Sequence, residues 1–412
     1  MIYKYYGSFL KSVTIGSGVL NIGSQAFGYD SNDGSRPVKV IWLTNTPPSG
    51  YANAGGTVNY VANDLYTSLS NKTVYPYLSS YFDVEGIRYV PVSPSERTCD
   101  AIDCMYDNSA EHINIGMVSY RGVTMTVKDV KPYVFYLNTY IKDVQVNSSG
   151  RLGNKAFYGC TNMNTLEIGG NVTSIGDYTF DRCSSLKNVI MEDGKESMLV
   201  LGSNGSSPMF ASCPLDSVYV GRNISFPTNS ATGYSPFYRN TSLRSIHFTD
   251  NETEISEYEF YGCTNLKNAR IGNGVTTIGK WAFSGCSNLD FFACGSSVKT
   301  IGQEAFSDCT AMTKLYSFAP VPPTCGSQAL DDINKWNCTL YVPEKNISAY
   351  QAAPQWKDFF FMEKVDGVSA IDKPQLIIDD ILDLNGRQLT RMQKGINIVR
   401  MSDGTVKLIM VK

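Results

Sequence analysis

Apolar residues recur along this chain with a period of about 23 residues, as between Phe260, Phe283 and Phe306. Six residues after most of these phenylalanines, and five after Phe210, begins a segment of the form apolar-x-x-apolar-x-apolar. Its alternating end predicts a strand with one buried and one exposed face. The recurrence predicts a stack of similar coils. The marker phenylalanines are Phe135, Phe157, Phe180, Phe210, Phe237, Phe260, Phe283 and Phe306.

A cysteine follows most of these phenylalanines by three residues, and asparagine replaces it in two units. One interpretation is a set of reactive or metal-binding thiols. The other is a ladder of buried, free cysteines that serve as small core residues, and we favour it because the spacing is that of the repeat. The positions are Cys160, Cys183, Cys213, Cys263, Cys286, Cys309, Asn138 and Asn240.

The unit Ile-Gly-x-x-Ala-Phe-x-x-Cys-x-x-Leu resembles the BspA-type leucine-rich repeats of bacterial surface proteins. The resemblance covers residues 5–27 and 127–317. It implies a β-rich leucine-rich-repeat solenoid, a right-handed α/β-type repeat array with little helix. Segments 202–208 and 227–233 replace the Ile-Gly half before Phe210 and Phe237, and we expect them to be loop insertions.

Four segments are predicted along the chain. Residues 1–62 form a first short repeat block with its cap, and 63–126 form a small β-island with hairpins over 82–89 and 118–125. A second repeat block with a C-terminal cap spans 127–363, and its cap includes a short helix over 349–359. Residues 364–412 are expected to be a linker and a small C-terminal β-domain, with hairpin turns at Asn385-Gly386 and Asp403-Gly404.

The tail resembles the C-terminal sorting domains of the type IX secretion route in Bacteroidota, in 383–389 and at Lys394-Gly395-Ile396. An accessory β-domain without a sorting role is the alternative. At the other end, residues 10–15 match the second half of the repeat, so we expect the sequence to open inside a unit. Two cysteine pairs lie outside the ladder, and a disulfide in either is left open. They are Cys99 with Cys104 and Cys325 with Cys338.

Charge and motifs exclude several classes of function. The 35 basic and 38 acidic residues give a net charge of -3, so no global field favours nucleic acid. The only histidines are His112 and His247, and no phosphate-binding glycine loop is present. We expect no catalytic residues, no cofactor, no metal site and no membrane span, and hence no enzyme. A carboxylate run lacks the spacing of a dedicated calcium site and is interpreted as a solvated turn. It comprises Asp250, Glu252, Glu254, Glu257 and Glu259.

The second block predicts eight neighbouring strands, an open sheet roughly 34 Å across. Its outward positions mix cations and aromatics, which suits a macromolecular partner, although scattered surface residues are the alternative. The family resemblance implies a cell-surface or secreted adhesion protein of a Bacteroidota bacterium that binds a host matrix protein, another cell or a glycan. A structural spacer without a ligand is the rival hypothesis. The candidate binding residues are Lys187, Tyr219, Arg244, His247, Lys267, Arg270, Phe291 and Tyr316.

Overall fold

The computed structural model describes residues 12–365 apart from 24–25, 28–37, 45, 52–57, 63–68, 70–71, 106–109, 195–197, 203–208 and 228–234, and the backbone of four strands within 378–411. The chain is wound into a β-solenoid of about 13 turns with almost no helix, which confirms the predicted fold class.

The strands follow one another in chain order. The first group is β1 (Ser12–Ile15), β2 (Lys39–Trp42), β3 (Val58–Val61), β4 (Lys72–Val74), β5 (Phe82–Val84), β6 (Ile87–Ser93), β7 (Thr98–Cys104), β8 (His112–Ile115), β9 (Met117–Tyr120) and β10 (Val123–Val130). The second is β11 (Asp143–Val146), β12 (Arg151–Leu152), β13 (Thr165–Ile168), β14 (Ser174–Ile175), β15 (Asn188–Met191), β16 (Leu199–Leu201), β17 (Ser217–Val220), β18 (Ile224–Ser225), β19 (Ser245–Phe248) and β20 (Glu254–Ile255). The third is β21 (Asn268–Arg270), β22 (Thr277–Ile278), β23 (Phe291–Cys294), β24 (Thr300–Ile301), β25 (Lys314–Ser317), β26 (Thr324–Cys325), β27 (Thr339–Pro343), β28 (Phe361–Val365), β29 (Ile378–Leu382), β30 (Gln388–Leu389), β31 (Gly395–Met401) and β32 (Val406–Val411).

One strand from each coil joins the main sheet, which has eleven parallel strands in the order β28-β27-β25-β23-β21-β19-β17-β15-β13-β11-β8. The pairing register aligns equivalent repeat positions, as in Val189 with Val218 and Ile246. Eight strands were predicted, and the sheet is longer because β8 extends one end and β27 and β28 extend the other. Ten gaps of about 4.8 Å make it roughly 48 Å across.

The Ile-Gly half of each repeat forms a second ladder of very short strands. Strands β12, β14, β16 and β18 continue the nine-stranded sheet that contains the island, whereas β20, β22, β24 and β26 form a separate sheet. The interruption falls at the Phe237 coil, where 227–233 departs from the repeat. Before Phe210 the predicted replacement of the Ile-Gly half is wrong, because Leu201 pairs with Ile175 and the Gly202 N–H donates to the Ile175 carbonyl at 2.7 Å. The extra residues therefore come after Gly202.

The phenylalanines form a continuous stacked column from Phe135 to Phe306. Neighbouring ring centroids lie 4.8 to 5.9 Å apart, as between Phe135 and Phe157 or Phe157 and Phe180. Most coils turn at the column through left-handed residues two positions before and two after the ring, such as Trp281 (φ 55°) and Gly285 (φ 78°) around Phe283. Glycine suits the second of these positions because it has no Cβ.

The cysteine ladder is buried, and its thiols are free. Each thiol donates to the carbonyl oxygen of the marker phenylalanine one coil earlier, as from Cys286 Sγ to Phe260 O at 3.3 Å and Cys309 Sγ to Phe283 O at 3.2 Å. Asn240 makes the equivalent hydrogen bond, in which its Nδ2 donates to Phe210 O at 3.0 Å. The exchange of Cys and Asn follows from this shared donor role.

Both hairpins predicted in the island are confirmed. Strand β5 pairs with β6 through a turn at Glu85-Gly86, and β9 pairs with β10 through Arg121-Gly122; all four turn residues have positive φ. Strand β10 also pairs with β12 of the second block. The hydrogen-bonded ladder therefore continues across the predicted boundary between the island and the second block, at residue 126. The division into segments stays a prediction.

The first block contributes the parallel sheet β1-β2-β3-β4. A buried ion pair joins it to the island, with Lys39 Nζ 2.6 Å from Asp103 Oδ1. Apolar packing of Ile41 and Tyr60 with Val90 and Ile102 adds to this contact.

The cysteine pairs left open are free thiols. Cys99 and Cys104 lie on one extended strand, β7, five residues and therefore about 16 Å apart, which is far beyond disulfide reach. Cys325 ends β26 and Cys338 directly precedes β27, and these two strands belong to different sheets.

The second block is closed by helix α1 (Ile347–Ala352), flanked by 3-10 helices at Glu344–Asn346 and Trp356–Asp358; a further 3-10 helix spans Leu78–Ser80. The helix predicted over 349–359 is wrong at its C-terminal end. Helix α1 stops at Ala352, because Pro354 forces extended backbone at Ala353. The buried Tyr350 hydroxyl still donates to Ala319 O at 2.9 Å.

The C-terminal strands form an antiparallel sheet in the order β30-β29-β31-β32. The predicted turns at Asn385-Gly386 and Asp403-Gly404 lie outside the described residues.

Candidate binding surface on the main sheet

The predicted site residues occupy three rows on the exposed face of the main sheet. Tyr219, His247, Arg270 and Tyr316 share one row at the third strand position, because β17, β19, β21, β23 and β25 pair in that register. Phe291 lies in the row of first positions. The remaining three precede their strands by one residue; they are Lys187, Arg244 and Lys267.

Five predicted residues are brought into contact, as a group of three and a pair. Phe291 and Tyr316 lie with ring centroids 5.3 Å apart, and the Arg270 guanidinium stands 4.7 Å from the Phe291 centroid. On neighbouring strands Tyr219 and His247 stack at 5.4 Å. Burial raises the pKa of both Tyr219 and Tyr316, which keeps these rings neutral and amphipathic at physiological pH.

The three cationic residues that precede their strands are exposed and do not join the aromatic group. The Arg244 guanidinium lies 3.5 Å from Asp216 Oδ1 on the neighbouring coil. Such solvent-exposed pairs contribute little to stability. Lys187 and Lys267 are exposed along the same edge.

The aromatic group extends further than predicted. Tyr341 stacks on Tyr316 with centroids 4.2 Å apart, and Phe318 lies 6.2 Å from Tyr316. With Ala293 and Val365 these side chains form a separate apolar cluster outside the core. We call Arg270, Phe291, Tyr316, Phe318 and Tyr341 the aromatic cluster.

Sequence reasoning missed Tyr341 because it lies in the C-terminal cap, beyond the eight predicted strands. The signal was nonetheless present: in Leu340-Tyr341-Val342 the alternation that buries Leu340 and Val342 turns Tyr341 outward. Phe318 follows a strand and has no periodicity that would have identified it.

The opposite end of the same face is polar. His112 Nδ1 lies 3.0 Å from Asp143 Oδ2, and Asn114 Nδ2 donates to Gln145 Oε1 at 3.0 Å. A shallow cavity of about 260 Å³ lies among these side chains. Burial raises the pKa of Glu167 to about 7, helped by a hydrogen bond and charge repulsion from Glu192. We call His112, Asn114, Asp143, Gln145 and Glu167 the polar cluster.

The carboxylate run at 250–259 is only partly a solvated turn, which corrects that interpretation. Asp250, Glu254 and Glu257 are exposed, whereas Glu252 and Glu259 are buried. Burial raises the pKa of Glu252 to about 7 and that of Glu259 well above its usual value. Glu252 Oε2 accepts from the Ile224 N–H at 3.0 Å, so it supports the end of the interrupted ladder.

Within the described ranges, no three His, Cys, Asp or Glu side chains are grouped so as to hold a metal ion. No helix in the part of the chain that the structure describes has the length and apolarity needed to cross a membrane.

The parallel strands, the paired left-handed turns and the Cys/Asn ladder define a leucine-rich-repeat solenoid protein. Residues 118–235 and 232–321 match the family model of the BspA type leucine rich repeat region, with six copies. The protein therefore carries a BspA-type leucine-rich-repeat region across the part of the solenoid that bears the candidate surface.

Solved structures that resemble this one include a leucine-rich repeat protein from Bacteroides ovatus. It has 16% identity and a TM-score of 0.41, and the match covers 69% of this chain and 76% of that one. The T. pallidum leucine rich repeat protein has 19% identity and a TM-score of 0.37, and the match covers 50% of this chain and 90% of that one. A leucine rich cell surface protein from Faecalibacterium prausnitzii has 14% identity and a TM-score of 0.24, and the match covers 71% of this chain and 96% of that one. No curated protein matches the chain.

Proposed function

We propose that this protein binds a macromolecular partner at the cell surface or outside the cell, through the exposed face of its main sheet. The observation that carries the proposal is the aromatic cluster: its rings and one guanidinium pack side by side on the outward face of the main sheet. Large aromatic side chains and arginine are enriched at the centres of protein interfaces.

The partner class is a host or bacterial surface protein or a glycan, and the role is adhesion. The family match supports a surface role, because the resemblance to BspA-type repeats implies a bacterial surface protein. A sheet roughly 48 Å across suits an extended partner better than a small molecule.

Export is part of the same proposal. Strands β29 to β32 form a small antiparallel sheet where the sequence resembles a type IX sorting domain, and this supports secretion by a Bacteroidota bacterium. Fusing residues 364–412 to a reporter protein in such a bacterium tests this part. The reporter should reach the cell surface or medium, and retention inside the cell would leave an accessory domain as the interpretation.

The binding proposal is tested by presenting the full chain to a panel of immobilised matrix proteins, bacterial surface proteins and glycans. Saturable binding to at least one partner is expected, and added partner in solution should compete. Binding to none would favour the rival role of a spacer that holds another domain away from the surface.

A further inference from the structure

The β-island folds back on itself and forms a second concave site, far in sequence from the aromatic cluster. Its strands run in the order β9-β10-β7-β6-β5. The two end strands meet where Phe82 on β5 stacks on Tyr120 on β9, with centroids 4.7 Å apart. Irregular register within β6–β7, between Pro91 and Ser93, accompanies the bend.

The cavity at this bend has a volume of about 370 Å³, which lies within the range of small-molecule pockets, about 300–1,000 Å³. We call it the island pocket. Its inner surface is apolar, formed by Phe82, Tyr120 and Met125. At the mouth, Tyr77 and Val123 are 40% and 46% exposed, so apolar side chains are left uncovered at the opening.

Cationic and polar groups line the same pocket. Arg97 stands in the turn between β6 and β7, and Arg121 in the turn between β9 and β10, and both have positive φ. Among the described residues neither guanidinium forms an ion pair. Thr98 also lines the pocket, and its hydroxyl is shielded from solvent and has no hydrogen-bond partner. An unpaired buried hydroxyl is costly, so this group is suited to a polar atom of a ligand.

We infer that the island pocket binds a small amphipathic carboxylate, with its apolar body against Phe82 and Tyr120 and its carboxylate toward Arg97 and Arg121. Two unpaired guanidiniums disfavour a cationic ligand and attract an anion, because arginine presents paired donors to carboxylate oxygens. The apolar lining disfavours a ligand that is polar throughout. The concave shape favours a small molecule over a flat protein surface.

The inference is tested by isothermal titration calorimetry of the full chain with three probes. 3-Phenylpropionate combines the apolar body and the carboxylate, 3-phenylpropylamine has the same body with the opposite charge, and acetate has the charge alone. Phenylpropionate should bind saturably at one site, and the other two should bind at least about tenfold more weakly. Equal binding of the amine, or no saturable binding of phenylpropionate, would overturn the inference.

Variants then locate the site. Arg97→Gln with Arg121→Gln should weaken phenylpropionate binding about tenfold, because a charge-assisted hydrogen bond is lost at each position. Arg151→Gln, an exposed arginine on β12 outside the pocket, is the matched control and should leave the affinity unchanged. Thr98→Val keeps the side-chain shape and should also weaken binding. Thermal unfolding confirms that each variant is folded, and unchanged affinity in the double arginine variant would exclude this pocket.

Discussion

The two ends of the main sheet's exposed face carry opposite chemistry on the same backbone. Around β8, β11 and β13 the outward side chains are histidine, amides and carboxylates joined by hydrogen bonds. Around β21 to β27 the equivalent positions hold packed aromatic rings and one arginine. Gln145 and Tyr316 thus occupy the same repeat position.

The inward face does not change between these ends, because every coil must fill the same space. The phenylalanine column and the thiol-to-carbonyl bonds continue beneath both clusters. Close packing constrains the inward residues, whereas the outward positions are free to vary. Variation among outward residues is therefore where a specific function can be encoded.

The largest expected effect is on stability. Phe283 is fully buried and stacks between Phe260 and Phe306 at 5.3 and 5.4 Å. Phe283→Ala should lower the free energy of unfolding by about 3–5 kcal/mol, because it leaves a cavity in the column. Phe291→Ala on the outward face is the matched control and should cost about 1 kcal/mol. Urea denaturation measures both, and similar costs would contradict the difference between the two faces.

The next effect separates the two clusters by binding. Arg270→Ala with Tyr316→Ala should weaken binding to an identified partner by about 2 kcal/mol, roughly 30-fold, because it removes the centre of the aromatic cluster. The matched change at the polar end, Asn114→Ala with Gln145→Ala, should leave affinity within about threefold. Surface plasmon resonance with both variants decides this. A greater loss from the polar pair would move the proposed site to the opposite end of the sheet.

A smaller effect is the pH dependence of the polar end. The folded pKa of Glu167 is raised to about 7, so its contribution to stability is fully present below the unfolded value near 4.5 and is lost as pH rises through about 7. Glu167→Gln keeps a hydrogen-bonding group and removes one charge beside Glu192. It should flatten the fall in melting temperature between pH 4.5 and 8. An unchanged slope would mean that Glu167 is not the titrating group.

The smallest expected signal is the absence of thiol chemistry in the ladder. Burial raises the pKa of Cys183 and Cys263 to about 12, and each sulfur is occupied as a donor to a carbonyl. A thiol reagent applied to the native protein at pH 8 should therefore leave all six ladder cysteines unmodified, as mass spectrometry would show. The same reagent in denaturant should label them. Rapid native labelling of Cys286 would contradict the buried ladder.

Part of the candidate surface was predictable because register follows from alternation. The outward directions of Arg270 and Tyr316 follow from the apolar-x-x-apolar-x-apolar pattern that begins at Leu266 and Met312. Tyr341 was missed because it lies in the C-terminal cap, beyond the eight predicted strands. Which outward residues touch was beyond sequence reasoning, since contacts such as Tyr316 with Tyr341 join different coils.

The sequence by itself determined the solenoid, because the 23-residue recurrence of Phe, Cys and Leu gives every coil the same inward residues, so that each coil can stack on its neighbour. It also determined the island's hairpins, where Glu85-Gly86 and Arg121-Gly122 specify tight turns. Only the tertiary structure decided that the island joins the sheets of the second block, that its end strands meet at Phe82 and Tyr120, and that Glu252 and Glu259 are buried. These features depend on long-range packing, and the sequence of a single strand or turn does not specify which distant segment will pack against it.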